Sequence, residues 1–258
     1  MHKYSPQFFL NLEVGSYVLK TAESVEELKA AFSLRHQIFF NSAFRERGQL
    51  YDVDRFDTLC DHLIIVDKKS KKIVGTYRLN NSAVAKDFYS STEFDLHKIV
   101  YSGSNCVELG RACIAKDHRN GVVISLLWRG IYTYMKSKNT DLLFGCSSIK
   151  GINARQAALL WRYFEKSDLI DHVFKTNPHY AFKVPLREEY LSQEHGEMDS
   201  SELAEVKMLL PPLLRSYLKF GAKVAGEPTL DDEMGCVDFL TVMRIENLSA
   251  QIERKFKI

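Results

Sequence analysis

Apolar positions along the chain change period several times, and each change marks an element. Ser16–Thr21 reads as a first strand. From Glu23 to Phe40 the residues Val25, Leu28, Phe32 and Phe39 recur at helical spacing, with Ser24 placed as N-cap and Glu27 three residues later. His62–Asp67 and Ile73–Leu79 predict two strands paired across a Lys-Lys-Ser-Lys-Lys turn. Cys106–Ala115 reads as a buried strand, 116–121 as a polar turn, and Val123, Leu126, Leu127, Ile131, Tyr134 and Met135 as the inner face of a long helix. Asp141–Ser147 is a further strand, and Asn153–Lys166 a helix burying Ala154, Ala157, Ala158, Trp161 and Phe164. Glu202–Phe220 is helical with a break at Pro211–Pro212. Ala222–Glu227 and Cys236–Ile245 predict a closing strand pair, and 246–258 a short helix exposing Arg254, Lys255 and Lys257. Asn41–Thr58 reads as a long polar loop, Asn80–Val100 as irregular with aromatic residues at Phe88, Tyr89 and Phe94, and His179–Asp199 as polar and irregular. This order predicts one mixed α/β domain over 1–258.

Charges interrupt the pattern where it should be apolar. Arg35 falls on the buried stripe of its helix, and Arg78 shares a strand face with Val74 and Thr76. A buried guanidinium needs acidic partners unless it snorkels to an edge. The segment before the first strand pair brings Asp52, Asp54 and Asp57 close together, as a cation site or as a solvated acidic loop. In the central strand, strict alternation sets Glu108 and Arg111 on opposite faces. Gly110 between them suggests a bulge, which would bring both to one face and release a backbone N–H from the ladder. A carboxylate beside such an N–H suits acyl transfer, the one as base and the other as oxyanion donor. The same pair also suits a purely structural ion pair.

Composition narrows the classes. A net charge of +2 over 258 residues argues against a nucleic-acid partner. The five cysteines form no CxxC pair, so no metal site or disulfide framework is expected, in keeping with a cytoplasmic chain. The first seventeen residues lack the pattern of a secretory signal, and runs such as Leu63–Val66 and Val122–Trp128 are too short to span a bilayer. His62 and Asp67 match the HxxxxD spacing of glycerolipid acyltransferases, but the residues between them are a strand core, so that match is read as chance.

The element order, with a basic turn between a bulged strand and a helix, resembles the GNAT acyltransferase superfamily. That superfamily's turn, R/Q-x-x-G-x-G/A, holds a pyrophosphate on backbone amides. Here the turn is Asp117-His118-Arg119-Asn120-Gly121-Val122-Val123, with one glycine, which favours a donor carrying a single phosphate. The blocks LRHQIFF (34–40), DVDRFDTLCDHLIIV (52–66), IVGTYRL (73–79), VELGRACI (107–114), HRNGVVISLLWRGI (118–131), LFGCSSIKG (143–151) and LPPLLRSYLKFGAKVAGEPTLDDEMGCVDFL (210–240) together resemble the ornithine-lipid N-acyltransferases, a group that also carries a hemolysin label. A more distant likeness is to acyl-homoserine-lactone and N-acyl amino acid synthases, although the tryptophan expected after Phe39 in the lactone synthases is missing.

The resemblance implies a GNAT-like α+β fold: a mixed, mostly antiparallel sheet flanked by helices, with a helical insertion at about 190–220. It implies transfer of a 3-hydroxyacyl group from acyl carrier protein to the α-amine of ornithine, with no tightly bound cofactor and no metal. Glu108 and Arg111 are the implied catalytic residues. Arg35, Asp54, Asp57, Arg78 and Ser147 are implied to face the amino-acid substrate, and Ala112, Arg119, Asn120 and Gly121 the acyl donor. Arg129 and the basic turn suit an acidic carrier protein, and the basic tail suits peripheral contact with an anionic inner membrane. Two other readings are a signal synthase of the same fold and a membrane-active hemolysin.

Overall fold

The computed structural model describes residues 4–40, 50–184, 197–232 and 234–246. The chain folds as two compact units, the first built on residues up to 88 and on 107–140, the second on 89–106 and 141–251. Their strands pair antiparallel, with helices on the sheet faces, which is the GNAT-like α+β arrangement expected from the sequence. No helix among the described residues is long and apolar enough to cross a membrane.

In the first unit, β1 (Asn11–Val14), β2 (Tyr17–Thr21), β3 (Asp61–Asp67), β4 (Ile73–Asn81) and β5 (Cys106–Ile114) pair in sequence order. The β1 strand was not predicted. It is short and half-exposed, and a tight turn with Gly15 at φ +56° joins it to β2. Helix α1 (Val25–Phe39) starts at Ser24, whose hydroxyl accepts the Glu27 N–H, as predicted. It packs Leu28, Ala31 and Phe32 against Ile64. After the four-residue helix α2 (His97–Val100), which belongs to the second unit, comes α3 (Val122–Lys138). Two glycines let α3 close on the sheet. A Cβ on Gly75 would meet Val123 Cγ1 at 2.6 Å, and one on Gly130 would meet Leu19 and Leu63 at 2.9 Å.

The predicted bulge is present. Thr76 pairs with Cys113 and Arg78 with Gly110, so a two-residue step on β4 faces a three-residue step on β5. Arg111 lies within that step at φ +52°, a left-handed conformation that costs a non-glycine residue about 1 kcal/mol.

The second unit is organised on β6 (Leu142–Lys150) and β9 (Cys236–Arg244), paired along their full length. Helix α4 (Ala154–Lys166) packs Ala157, Leu160, Trp161 and Phe164 into a core with Ile149, Val237 and Phe239. The expected helical insertion contains α5 (Ser200–Leu209) and α6 (Pro212–Lys219), which contribute Val206 and Leu214 to the same core. As predicted, the proline pair divides them. Arg155–Glu205 and Arg162–Glu202 ion pairs join α4 to α5. The closing strand pair is more broken than expected: β7 (Lys223–Val224) and β8 (Thr229–Asp231) each pair with β9. Residues 185–196 and the basic tail with Arg254, Lys255 and Lys257 lie outside the described residues.

Candidate active site

Three arginines and three aspartates of the first unit form a closed ring. Arg35 donates from Nε to Asp52 Oδ2 at 2.6 Å, and from Nη1 and Nη2 to the two oxygens of Asp57 at 2.7 and 3.1 Å. Arg78 Nη1 donates to Asp57 Oδ1 at 3.1 Å and to Asp54 at 2.6 and 2.7 Å. Arg111 closes the ring, with Nη2 donating to Asp54 Oδ2 at 3.1 Å and Nε 3.3 Å from Asp52 Oδ2. Each guanidinium thus serves two carboxylates, each carboxylate serves two guanidiniums, and the six formal charges cancel. The cations that answer the acidic loop are the protein's own side chains.

Local structure sets each partner. The Arg35 guanidinium is fully buried on α1, 4.9 Å from the Phe32 ring centroid. The Asp52 N–H donates to the Phe32 carbonyl, which brings the acidic segment to that helix. Asp54 caps a 3₁₀ turn, Arg55–Thr58, by accepting the Phe56 N–H, while Asp57 accepts the Asp54 N–H. This reciprocal capping holds both carboxylates toward β4. Arg78 reaches them from the same face of the sheet as His62, its partner on β3.

Burial alone would raise the pKa of Asp57, but its bonds with Arg35 and the charges of Arg35 and Arg78 outweigh that and hold it at about 2. His62, fully buried, places Nε2 3.0 Å from the Asp57 carbonyl, so Nε2 carries the proton. Burial lowers its pKa to about 4 against the attraction of Asp57. Burial likewise lifts the Cys60 thiol to about 12, Arg78 opposes the rise, and the charge of Glu108 adds to it.

Glu108 is buried on β5, opposite Asn80 of β4. The ring members reached by solvent are Asp54, 21% exposed, and Arg111, 14%. Ala112, half-buried, follows Arg111 in the bulged step. The fold therefore brings Arg35, Asp54, Asp57, Arg78 and Arg111 into one array, with Glu108 and Ala112 on the strand that supplies Arg111.

The remaining predicted residues belong to other elements. Arg119, Asn120 and Gly121 form an exposed turn before α3: Arg119 Nε donates to the Ile114 carbonyl at 3.0 Å, Asn120 Oδ1 accepts the Val122 N–H at 3.1 Å, and Gly121 sits at φ +87°. Ser147 belongs to the second unit, its hydroxyl 3.1 Å from that of Thr241.

Asp52 was read only as one of three loop acids. Its signal was present: in an extended segment, positions 52 and 54 share a face, and the turn at 55–58 returns Asp57 to that side. Asn80 was assigned to an irregular stretch, whereas β4 continues through Asn81.

The model of the acetyltransferase (GNAT) domain matches residues 34–129, which contain the ring, the bulge and the basic turn. Curated relatives match nearly end to end. The chain is 30% identical over 253 residues to the L-ornithine N(alpha)-acyltransferase of Brucella abortus (strain 2308), covering 92% of this chain and 88% of that protein. It is 29% identical over 254 residues to the protein of the same name from Rhizobium meliloti (strain 1021), covering 92% and 83%. Among solved structures, the N-acyl amino acid synthase FeeM from uncultured soil microbes superposes with a TM-score of 0.51 at 11% identity, covering 91% of this chain and 93% of that one. The solved structure shares the fold, and the end-to-end match in sequence shows that the chain belongs to the L-ornithine N(alpha)-acyltransferase family.

Proposed function

We propose that this N-acyltransferase moves a 3-hydroxyacyl group from acyl carrier protein to the α-amine of ornithine, the first step toward an ornithine lipid. The observation that carries the reading is the match over 92% of the chain to relatives named for that acceptor, which also supports the whole chain 1–258 as one acyltransferase domain. The acceptor amine is protonated at neutral pH. Glu108 takes a proton from it, and the freed lone pair attacks the thioester carbonyl carbon. A backbone N–H of the bulged step, at Ala112, stabilises the oxyanion. The new C–N bond forms, the C–S bond breaks, the thiolate leaves as a thiol with one proton, and the second amine proton goes to solvent.

Arg111 and Asp54, the solvent-reachable ring members, face the acceptor's carboxylate and side-chain ammonium. Arg35, Arg78, Asp52 and Asp57 hold them in place. Ser147 is assigned to the acceptor by sequence resemblance alone. The exposed turn of Arg119, Asn120 and Gly121, with one glycine and the first N–H groups of α3, suits the single phosphate of a carrier-protein arm. The proposed setting is the cytoplasm, with the basic residues Arg254, Lys255 and Lys257 giving weak contact with an anionic membrane.

The test is to incubate the protein with 3-hydroxyacyl carrier protein, or with acyl-coenzyme A, and a panel of amino acids, reading products by mass spectrometry. The expected product is acyl-ornithine from the carrier protein. Acylation of a different amino acid overturns the acceptor, and turnover with coenzyme A alone overturns the donor. Glu108→Gln should lower kcat by about 100-fold or more while the thermal midpoint stays near that of the wild type.

A further inference from the structure

The mechanism leaves one buried polar atom beside the proposed base unused. Asn80 is 1% exposed, and its Nδ2 donates to the Asp87 carbonyl at 2.9 Å. That bond fixes the amide orientation, because a carbonyl accepts and cannot donate. The other atom, Oδ1, is therefore a carbonyl oxygen, and it has no hydrogen-bond partner among the described residues. An acceptor buried in that way carries a desolvation penalty that a bound donor removes.

Its placement is specific. Asn80 and Glu108 are direct cross-strand partners on β4 and β5, so their side chains leave the same face of the sheet about 5 Å apart at Cβ. The bulge begins beyond Arg78 and Gly110 and does not disturb this pair. Arg78, two residues before Asn80, leaves the same face and is held by Asp54 and Asp57. A carboxylate and an amide oxygen side by side are two acceptors. The group that suits both is one nitrogen or oxygen with at least two hydrogens to give.

We propose that Asn80 Oδ1 and the Glu108 carboxylate together accept two N–H bonds from the acceptor's α-ammonium. This rests on the function proposed above. Glu108 removes one proton, and Asn80 keeps the second N–H engaged, so the lone pair points at the thioester and not back at the sheet. Asn80 thereby touches the reacting nitrogen and is a catalytic residue in its own right. Arg78, Glu108, Asp57 and Asp54 all bear electrostatically on the Cys60 thiol, which burial keeps protonated.

Two variants separate this role from a structural one. Asn80→Ala and Asn80→Asp both lose the Nδ2 bond to Asp87, so a purely structural role moves them together. In Asn80→Ala, kcat/KM for the amine should fall about 10- to 100-fold at every pH, with KM for the acyl donor unchanged. Asn80→Asp keeps an acceptor and adds a negative charge beside Glu108, which raises the apparent pKa of that pair. The acid limb of its kcat/KM profile should shift to higher pH, with the amine's KM recovering above it. Equal losses in the two variants with an unmoved acid limb overturn the inference, and so does wild-type kcat/KM in Asn80→Ala. If Asn80→Ala does not fold, the acid limb of Asn80→Asp decides alone. A wild-type protein that acylates no amine overturns the function instead, which keeps the two failures distinct.

Discussion

The arginine–aspartate ring and the basic turn before α3 are both proposed to meet substrate, and they are built in opposite ways. The ring gathers residues 17 to 59 positions apart, buries most of their charge, and gives each member charged partners. The turn satisfies itself locally: Arg119 bonds a carbonyl five residues back, and Asn120 an N–H two residues on, at an exposed site. A group that many others depend on is costly to remove. A group served by its own neighbours can change while the fold stands, and only what binds it notices. Stability effects should concentrate in the ring, and donor effects in the turn.

The largest expected effect is at Arg35. Alanine there removes three buried hydrogen bonds and leaves Asp52 and Asp57 short of positive charge. Denaturant unfolding should show a loss of about 3–5 kcal/mol. Lysine should recover little of it, since an ammonium cannot fork between two carboxylates. An Arg35→Ala protein as stable and as active as the wild type would end the idea of a ring whose members depend on one another.

Acid probes the same region without mutation. His62 has its folded pKa lowered from 6.5 to about 4, so the unfolded chain binds its proton first as pH falls. Its contribution is complete above pH 6.5 and is lost on descending to about 4, on the order of 3 kcal/mol in all. Asp57, lowered from 3.8 to about 2, contributes above 3.8 and loses that contribution as pH falls through about 2, on the order of 2 kcal/mol more. Stability measured against pH should therefore fall in two adjacent windows. His62→Gln should flatten the upper window and leave the lower, and an unchanged upper window would remove His62 from the account.

The ring was legible in part because burial and charge conflict. Arg35 and Arg78 stood on faces that hydrophobic period assigns to the interior, and only acidic partners resolve that. Gly110 announced the bulge that turns Arg111 toward them. What escaped were residues whose role depends on pairing across the sheet. Asp52 closes the ring through Arg111, 59 positions later; its own segment set it on the face of Asp54 but did not name that partner. Asn80 was lost at a strand end, where polar residues hide the alternation that would have extended β4. The β1 strand was lost for a similar reason, since a short edge strand buries too little to show a pattern. Ser147 was named from resemblance, and its bond to Thr241 could not have been read from either segment.

The smallest effect on folding, and the sharpest contrast, is expected at Arg119. Its Nε donates to a backbone carbonyl at the surface, so Arg119→Ala should change unfolding free energy by no more than about 0.5 kcal/mol. If the turn receives an acidic carrier protein, the same variant should raise KM for the acyl donor several-fold at low salt. That difference should shrink as salt screens the charge, while kcat and the amine's KM stay put. The salt dependence matters more than the size of the change. A loss of donor affinity that persists at high salt would mean that Arg119 shapes the turn, and not that it attracts the partner. A loss of stability approaching that of Arg35→Ala would mean that the turn, like the ring, is tied into the core, and the division of labour between the two would fall.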